Sequence, residues 1–342
     1  MKLNQKYNFC TLFDSGYLSR GLALYYSLET YCENFHLYIF AFDDLSIQIL
    51  NGLDLKSATI ISLSEFEDAR LIQVKPKRTK AEYCWTCTSS TILYCLEKFK
   101  LDDCTYLDAD LYFFSSPQPI FDEIGDASIA LTEHHYSKKY DQSTTSGKYC
   151  VQFIFFRNND EGLNALNWWR DSCIDWCYAR LENGKFGDQK YLDDWTIRFK
   201  KVHEIKNLGA GVAPWNIQQY NFSSTKEDFI HLFHYENNKK FNLIFYHFHK
   251  LQFAIKNSLI VEIEPSNFDL SPKVLQKFYA PYIDKLLIIE QSLKFIEIPK
   301  KYTYLFKNKS ILTDFYLSIR HILKKYKIFQ TFNNFIIKSS RL

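Results

Sequence analysis

Two carboxylates stand inside an apolar stretch of the chain. The segment Cys104–Phe114 reads CTYLDADLYFF, in which Asp108 and Asp110 carry the charge. On a β-strand, residues two apart share a face, so both side chains would lie together. Two buried like charges are costly unless a cation lies between them. The pair therefore predicts a divalent metal site in which Asp110 is the firmer ligand, while Asp108 binds the metal, a water or a hydroxyl of a bound ligand.

A second group of candidate ligands lies further along the chain. In YHFHK, strand alternation places His247 and His249 on one face, and Lys250 comes next. Imidazole is a common ligand of first-row metals, and an ammonium group binds phosphate. By itself, this pattern also fits an edge strand with ordinary histidines. The carboxylate pair in the same chain favours the ligand interpretation.

Two further stretches place charged residues at the start of a helix. In FGDQKYLDDW, Gly187 predicts a turn that presents Asp188 and Gln189, and Asp188 would serve as an N-cap, a catalytic group or both. In CTLFDSGYLSR, Arg20 follows a strand and a loop and lies early in a helix. An arginine there can reach a phosphate, helped by the helix N-terminus, although a surface charge fits the stretch equally well.

Strands and helices alternate through the first half of the chain. The runs YNFCTLF, FHLYIFAFDD, ATIISL and TYLDADLYFF predict strands. The runs YLSRGLALYYSLETYC and TCTSSTILYCLEKFK predict helices, the second with Thr88 or Ser89 as N-cap. This alternation favours a parallel α/β sheet, in which ligands bind beyond the carboxyl ends of the strands. Thr11, Phe13 and Asp14 lie at one such end, and the carboxylate pair lies at another.

The second half of the chain is less regular. The runs ASIALTEHH, CVQFIFFRN, DFIHLFHY and NLIFYHFHK predict strands, and DEGLNALNWWRDSCIDWCYARL predicts a long helix. The glycines and proline of LGAGVAPWN predict a loop. Helical spacing dominates from about Ser271 onwards.

Charge is distributed unevenly along the 342 residues. From Lys300 to Leu342 the chain carries ten Lys or Arg and one Asp, a net charge of +9, whereas the first 299 residues carry −6. This aromatic and basic tail predicts attachment to an anionic membrane surface. The alternative is that the tail packs on the rest of the protein. The sequence shows no motif that would indicate nucleic-acid binding. The nine scattered cysteines, without a signal peptide or membrane span in the sequence, predict a cytoplasmic protein at the inner face of the membrane.

Taken in order, these stretches resemble a known class of enzymes. The set CTLFDSGYLSRGLAL, YLDADLYFF, GDQKYLDDW, LGAGVAPWN and YHFHK is similar to the GT-A class of nucleotide-sugar glycosyltransferases, nearest in style to glycosyltransferase family 8, over roughly residues 5–255. The resemblance implies a Rossmann-like mixed α/β sheet flanked by helices. It also implies a catalytic domain over 1–265, divided near 115 into nucleotide-sugar-binding and acceptor-binding halves, and a helical basic region over 266–342.

The resemblance assigns roles to individual residues. In the family, an Asp-x-Asp pair and a late histidine hold Mn²⁺ or Mg²⁺ against the donor diphosphate, which implies metal binding by Asp108, Asp110 and His247. The family's Asp-Gln segment lies beside the donor sugar, which implies catalytic roles for Asp188 and Gln189. The residues expected to bind the nucleotide sugar are Thr11, Phe13, Asp14, Arg20, Asp108 and Lys250.

One stretch departs from the family pattern. The family's late motif runs His-Phe-x-Gly with a lysine and then Pro-Trp, whereas this chain has HFHKLQF, with neither the glycine nor Pro-Trp. The resemblance therefore gives no role to His249.

Acceptor recognition is expected from the second half of the chain. Sugars bind in clefts lined by aromatic rings and a few well-placed polar groups. The candidates are His134, Gln152, Trp215 and Asn216.

The pattern as a whole predicts a metal-dependent hexosyltransferase. It would move a hexose from a nucleotide sugar, expected to be a UDP-sugar, to a hydroxyl of a glycan or glycolipid in the synthesis of a surface polysaccharide such as lipopolysaccharide. The family resemblance implies a retaining reaction, which needs no side-chain base; in an inverting reaction a carboxylate such as Asp188 would be the base, and the sequence leaves both open. Two alternatives stay open: a sugar nucleotidyltransferase, against which the lack of a Gly-rich phosphate loop counts, and a non-catalytic glycan- or membrane-binding protein on a transferase scaffold.

Overall fold

The computed structural model of the chain describes residues 6–223, 230–256, 259–264 and 268–293. The strands in chain order are β1 (Tyr7–Phe13), β2 (Phe35–Ala41), β3 (Ala58–Ser62), β4 (Asp103–Leu107), β5 (Leu111–Phe113), β6 (Ile129–Glu133), β7 (Tyr149–Arg157), β8 (Val202–Glu204), β9 (Ala210–Val212), β10 (Tyr220–Phe222), β11 (His231–His234), β12 (Lys240–Asn242), β13 (Phe245–His247), β14 (Gln252–Lys256) and β15 (Leu259–Glu264). The helices are α1 (Leu18–Tyr31), α2 (Asp44–Asn51), α3 (Leu63–Phe66), α4 (Ala69–Val74), α5 (Lys80–Lys98), α6 (Gln118–Ile124), α7 (Asp160–Asp175), α8 (Trp195–Arg198), α9 (Pro272–Val274) and α10 (Ala280–Leu293), with a π-helical turn at Leu275–Tyr279.

A mixed seven-stranded sheet forms the centre of the protein, in the order β3-β2-β1-β4-β7-β6-β8. The first four strands of that order are parallel, and β7 is antiparallel to both of its neighbours. From β1 the chain builds outward to β2 and β3 on one side and then returns to β4 on the other. The carboxyl ends of β1 and β4 therefore flank the switch point of the sheet, where α/β proteins bind ligands. The predicted α/β architecture, with a mixed sheet between helices, is confirmed.

Helices cover the sheet on both faces. Phe9 and Phe13 of β1 belong to the core cluster that includes α1, whereas Cys10 and Leu12 belong to the cluster that includes α5 and α7. A strand buried on both faces carries apolar side chains on each of them. This explains why YNFCTLF is mostly apolar or aromatic rather than alternating, although Asn8 and Thr11 are polar.

The start of α5 differs from the sequence prediction. The helix begins at Lys80 after the N-cap Thr79, whose hydroxyl accepts a hydrogen bond from the amide of Glu82 while the Glu82 carboxylate accepts one from the amide of Thr79. The prediction of Thr88 or Ser89 as the N-cap is wrong, because both lie buried in the middle of the helix. The capping box settles the boundary, since it satisfies two free backbone N–H groups at once.

A small sheet in the order β5-β13-β9 lies beside the central one. Part of the predicted loop LGAGVAPWN is the strand β9, which runs parallel to β13. Gly211 within it has φ 111°, and a Cβ there would lie 2.8 Å from the side chain of Thr132. The glycine that suggested a loop is therefore required by close packing inside a sheet.

The helical segment that follows β15 packs on the residues around β13. The ring of Tyr282 stacks on Phe248 with centroids 3.7 Å apart, and Tyr279 contacts Tyr246. The basic tail from Lys300 lies outside the described residues, so its membrane contact stays a prediction, as does the boundary near 265. Among the residues that the structure describes, no helix combines the length and hydropathy needed to cross a membrane.

Close contact between α1 and β1 yields a stability prediction. A Cβ at Gly21 would overlap the ring of Phe13, so Gly21→Ala should lower the free energy of unfolding by about 1–3 kcal/mol, the usual cost of overpacking. At Gly52, by contrast, the nearest neighbour of a Cβ is a carbonyl oxygen at 3.3 Å. Gly52→Ala is the matched control and should change the free energy of unfolding by no more than about 1 kcal/mol. Urea denaturation of the two variants measures the difference, and equal effects would contradict the packing argument.

Candidate active site

A turn at the end of β4 presents the carboxylate pair. β4 stops at Leu107, and the amide of Leu111 donates to the carbonyl oxygen of Asp108 at 3.1 Å, which closes a turn around Asp108–Asp110. The pair therefore lies on a turn beyond the strand, not on the undistorted strand that the sequence predicted. The turn puts both carboxylates at the switch point of the sheet.

His247 reaches this turn through strand pairing. β13 is antiparallel to β5, with His247 opposite Leu111, and the next amide, that of Phe248, donates to the carbonyl oxygen of Asp110 at 3.0 Å. Nε2 of His247 lies 3.0 Å from Asp110 Oδ1 and 3.8 Å from Asp108 Oδ2. The three residues that the family resemblance assigned to a metal are thus brought together.

Charge pairing governs the protonation of this cluster. Burial by itself would raise the pKa of Asp110, but the imidazolium of His247 outweighs it and holds that pKa at about 2. Burial would likewise lower the pKa of His247, yet the Asp110 carboxylate raises it well above its ordinary value. A proton on Nε2 therefore balances the carboxylates here, in the position where a bound cation would balance them instead.

Gln152 orients the histidine. Its Oε1 lies 2.7 Å from Nδ1 of His247 and accepts that N–H, which leaves Nε2 directed at the carboxylates. Gln152 is fully buried. Its side chain therefore supports His247 from within the protein, and acceptor binding by Gln152 stays a prediction.

Two more potential ligands lie beside the cluster. The rings of His249 and His247 are 5.4 Å apart, and one nitrogen of each lies within 4.8 Å of the other and of an Asp110 oxygen. Sγ of Cys150, a nitrogen of His247 and an oxygen of Asp108 also lie within 4.8 Å of one another. Burial raises the pKa of this thiol, so it stays protonated. The sequence carries no signal for Cys150, since its closeness to His247 arises only from the sheet.

Asp188 lies near enough to Asp108 to feel its charge. Gly187, with φ 53°, turns the chain so that the Asp188 side chain is buried and does not cap the short helix after it. Burial in the first place, and the charge of Asp108 in the second, raise the pKa of Asp188 to about 7 against an opposing hydrogen bond from Thr88. Gln189 is half-buried and donates from Nε2 to the carbonyl oxygen of Ser146 at 2.7 Å.

The carboxyl ends of β1 and β4 border a crevice between the two strands. β1 pairs with β4 only at Phe9 and Cys10, so the two strands separate beyond these residues. The side chains of Thr11 and Phe13 are buried in the core, and contact of these residues with a nucleotide stays a prediction. Asp14 is accessible in part, but it accepts from the amide of Gly16 at 2.8 Å and pairs with Lys80.

Arg20 connects the segment after β1 with the segment after β13. Its guanidinium donates to the carbonyl oxygens of Gly16 at 3.4 Å and Leu251 at 2.7 Å, and it lies 4.6 Å from the ring of Tyr17. It is buried, so the sequence alternative of a surface charge is wrong. Tyr17 is 43% exposed, which makes it an accessible aromatic ring at this site that the sequence reasoning missed. Lys250 is exposed.

The other predicted acceptor residues form a buried support behind the histidines. The carbonyl oxygen of His134 accepts from Nε1 of Trp215 at 2.9 Å and from Nδ2 of Asn216 at 2.8 Å. The Trp215 ring contacts both His247 and His249, with centroids 5.3 Å apart in each case. Burial lowers the pKa of His134 to about 3, so this residue is neutral. All three are buried and hydrogen-bonded within the protein, and acceptor binding by them stays a prediction.

The donor set fits a divalent cation. Two sets of three residues share His247, one with Asp110 and His249 and the other with Asp108 and Cys150, and the ligand atoms within each set lie within 4.8 Å of one another. The other nitrogen of His247 is fixed by an acceptor, and imidazole suits first-row metals. A separate surface cavity of about 570 Å³ is lined by residues such as Ser115, Glu123 and Phe241, and none of the cluster residues lines it.

Comparison with known proteins decides the family. No protein-family model matches the sequence. The chain is 32% identical over 248 residues to the uncharacterized protein YfnD of Bacillus subtilis strain 168, an alignment that covers 71% of the chain and 77% of YfnD. The chain belongs to the YfnD family. A second protein of the same strain, the uncharacterized YfnF, is 31% identical over 270 residues, covering 77% of the chain and 87% of YfnF.

A solved structure shares the fold of this YfnD family member. The galactosyltransferase LgtC, crystallised with donor and acceptor sugar analogs, matches with a TM-score of 0.51 over 86% of the chain and 98% of LgtC. The two sequences are 10% identical, so the likeness concerns the fold alone. The GT-A-type fold implied by the sequence resemblance is confirmed.

The contact between Gln152 and His247 yields a prediction for metal binding. Gln152→Leu removes the acceptor of the histidine, and Mn²⁺ affinity should fall by about 10- to 100-fold, as when partners of metal-bound histidines are lost. Gln152→Glu keeps an acceptor oxygen and should bind Mn²⁺ more tightly than the leucine variant. Calorimetric titration of metal-free protein measures both, with the exposed Gln73→Leu as control. Wild-type affinity in Gln152→Leu would show that the glutamine has no orienting role.

Proposed function

We propose that the protein is a metal-dependent glycosyltransferase that transfers a hexose from a UDP-sugar to a hydroxyl of a glycan or glycolipid. The observation that carries this proposal is the convergence of Asp108, Asp110 and His247 at the switch point of the sheet. Membership of glycosyltransferase family 8, a retaining reaction and a role in surface polysaccharide synthesis belong to the same proposal.

In this proposal the leaving group is a nucleoside diphosphate, whose negative charge grows as the glycosidic bond breaks. A bound Mn²⁺ or Mg²⁺ ion would stabilise that charge as a Lewis acid. Asp110 and His247 would hold the ion, Asp108 would bind either the ion or the ribose, and Gln152 keeps Nε2 of the histidine available. The guanidinium of Arg20 adds a fixed positive charge that favours Asp110 in its ionised form.

Residues on the Asp188 side would contact the sugar. Asp188 and Asp108 lie close enough for the charge of one to raise the pKa of the other, so a donor held at Asp108 brings its sugar near Asp188. In a retaining reaction the departing phosphate accepts the proton of the acceptor hydroxyl, and no side-chain base is needed. Asp188 and Gln189 then position the sugar rather than remove a proton.

Support also comes from the comparison with LgtC. That galactosyltransferase shares the fold, and its crystal structure holds donor and acceptor sugar analogs. By analogy, the crevice between β1 and β4 would take the nucleotide part of the donor, where Tyr17 offers an exposed ring for a base. Lys250, exposed next to the histidines, would contact the diphosphate.

Release of the nucleoside diphosphate tests the function. The protein is incubated with a panel of sugar nucleotides and Mn²⁺ or EDTA, and products are separated by anion-exchange chromatography. We expect Mn²⁺-dependent release of UDP from a UDP-sugar, and Asp110→Asn should lower kcat/KM by at least about 100-fold, since the charge that anchors the metal is lost.

Asp102→Asn is the matched control for this experiment. Asp102 is exposed just before β4, at the opposite end of the strand, so its replacement should leave turnover unchanged. Release of pyrophosphate instead of UDP would identify a nucleotidyltransferase. Turnover that persists in EDTA, or in Asp110→Asn, would rule out the metal-dependent mechanism.

A further inference from the structure

The imidazole of His249 lies in the metal cluster without an assigned role. Its ring is half-buried, 5.4 Å from that of His247 and inclined to it by 78°. One of its nitrogens, one of His247 and an oxygen of Asp110 lie within 4.8 Å of one another. Among the described residues, no hydrogen bond joins its ring to another side chain or to the backbone. The ring is therefore available to a ligand.

We propose that His249 is a further protein ligand of the metal. Together with Asp110 and His247 it would form a set of two imidazoles and one carboxylate, which selects a nitrogen-binding cation such as Mn²⁺ or Co²⁺ over Mg²⁺. This inference rests on the metal site of the proposed function and goes beyond the ligands that the sequence resemblance supplied.

The backbone around His249 is held in place from three directions. The amide of Phe248, one residue before it, donates to the carbonyl oxygen of Asp110 at 3.0 Å. The carbonyl oxygen of Leu251, two residues after it, accepts from Arg20 at 2.7 Å. The ring of Trp215 packs against His249 and His247 alike. These contacts limit the movement of His249 away from the cluster, as expected for a preorganised ligand.

The local backbone conformation also favours this placement. Lys250 adopts φ 59°, a left-handed conformation that is uncommon for residues with a side chain. The amide of Leu251 donates back to the carbonyl oxygen of Phe248 at 3.1 Å and closes a tight turn around His249 and Lys250. Because the chain turns immediately after β13, both histidines stay beside Asp110 although the strand has ended.

The second imidazole has a consequence for metal choice. Mg²⁺ prefers oxygen ligands and keeps much of its hydration shell, whereas imidazole suits first-row transition metals. Affinity at a mixed nitrogen and oxygen site rises from Mn²⁺ through Co²⁺. A site with two imidazoles should therefore discriminate against Mg²⁺ more strongly than a site with one.

Spectroscopy on the full chain without donor tests the proposal. Pulsed EPR of bound Mn²⁺ detects coordinated imidazole through the ¹⁴N modulation, which should fall from two histidines in the wild type to one in His249→Ala. Mn²⁺ and Co²⁺ affinities should drop by at least about tenfold in calorimetric titrations, with a smaller change for Mg²⁺. The variant His249→Gln, which keeps a polar side chain but lacks the imidazole, should show the same loss of ¹⁴N modulation.

Controls separate this inference from loss of the fold and from failure of the proposed function. His36→Ala changes a histidine at the far end of β2, bonded to Thr59, and should alter neither the modulation nor the affinities. Thermal unfolding of the metal-free variants shows whether each one folds. If the wild type binds no Mn²⁺, the metal site and the proposed function are both wrong. If the wild type binds Mn²⁺ and both His249 variants keep two-histidine modulation, only the role of His249 is wrong.

Discussion

The antiparallel pairing of β5 with β13 is the contact on which the candidate site depends. β5 starts directly after Asp110, and β13 ends at His247, so their register places a histidine beside a carboxylate that is distant in the chain. The pairing is anchored in the core, where Phe245 stacks on Phe153 with centroids 5.7 Å apart. A shift of one residue would turn His247 to the other face of the small sheet. The positions of the cluster residues therefore depend on the core packing that fixes this register.

Electrostatic balance is the second constraint on this structure. Asp108, Asp110 and Asp188 lie close together in a largely buried crevice, where uncompensated negative charge is costly. His247 and Arg20 supply positive charge from two different parts of the chain. His247 pairs directly with Asp110, whereas Arg20 is hydrogen-bonded to the backbone, so the carboxylates face a single imidazolium at this point. Such a point is suited to a divalent cation, because the cation replaces a proton and adds further charge.

Several polar residues near the site position other side chains through hydrogen bonds and ring contacts. Gln152 accepts from His247, Asn216 and Trp215 both donate to the carbonyl oxygen of His134, and Trp215 contacts the two histidines. These side chains are buried, so their contribution is to limit the motion of the groups in the crevice. A site supported in this way can keep its ligand atoms in position before substrate arrives. The same packing explains why residues chosen as sugar contacts from their chemical type turned out to be internal.

The residues themselves indicated the alternation of strands and helices in the first half of the chain and the identity of the metal-ligand candidates, but not the short helices α2, α3 and α4. Mostly apolar runs such as YNFCTLF favour strands covered on both faces, and an Asp-x-Asp beside such a run needs a cation or a partner. The burial of Thr11, Gln152 and Asn216 could not be predicted, because burial depends on which elements pack together. The sequence placed His249 with His247 among the candidate ligands, but the closeness of these histidines and of Cys150 to the carboxylates could not be predicted. It arises from sheet register and from a turn after β13, and both are set by contacts between residues far apart in the chain, which local sequence patterns do not encode.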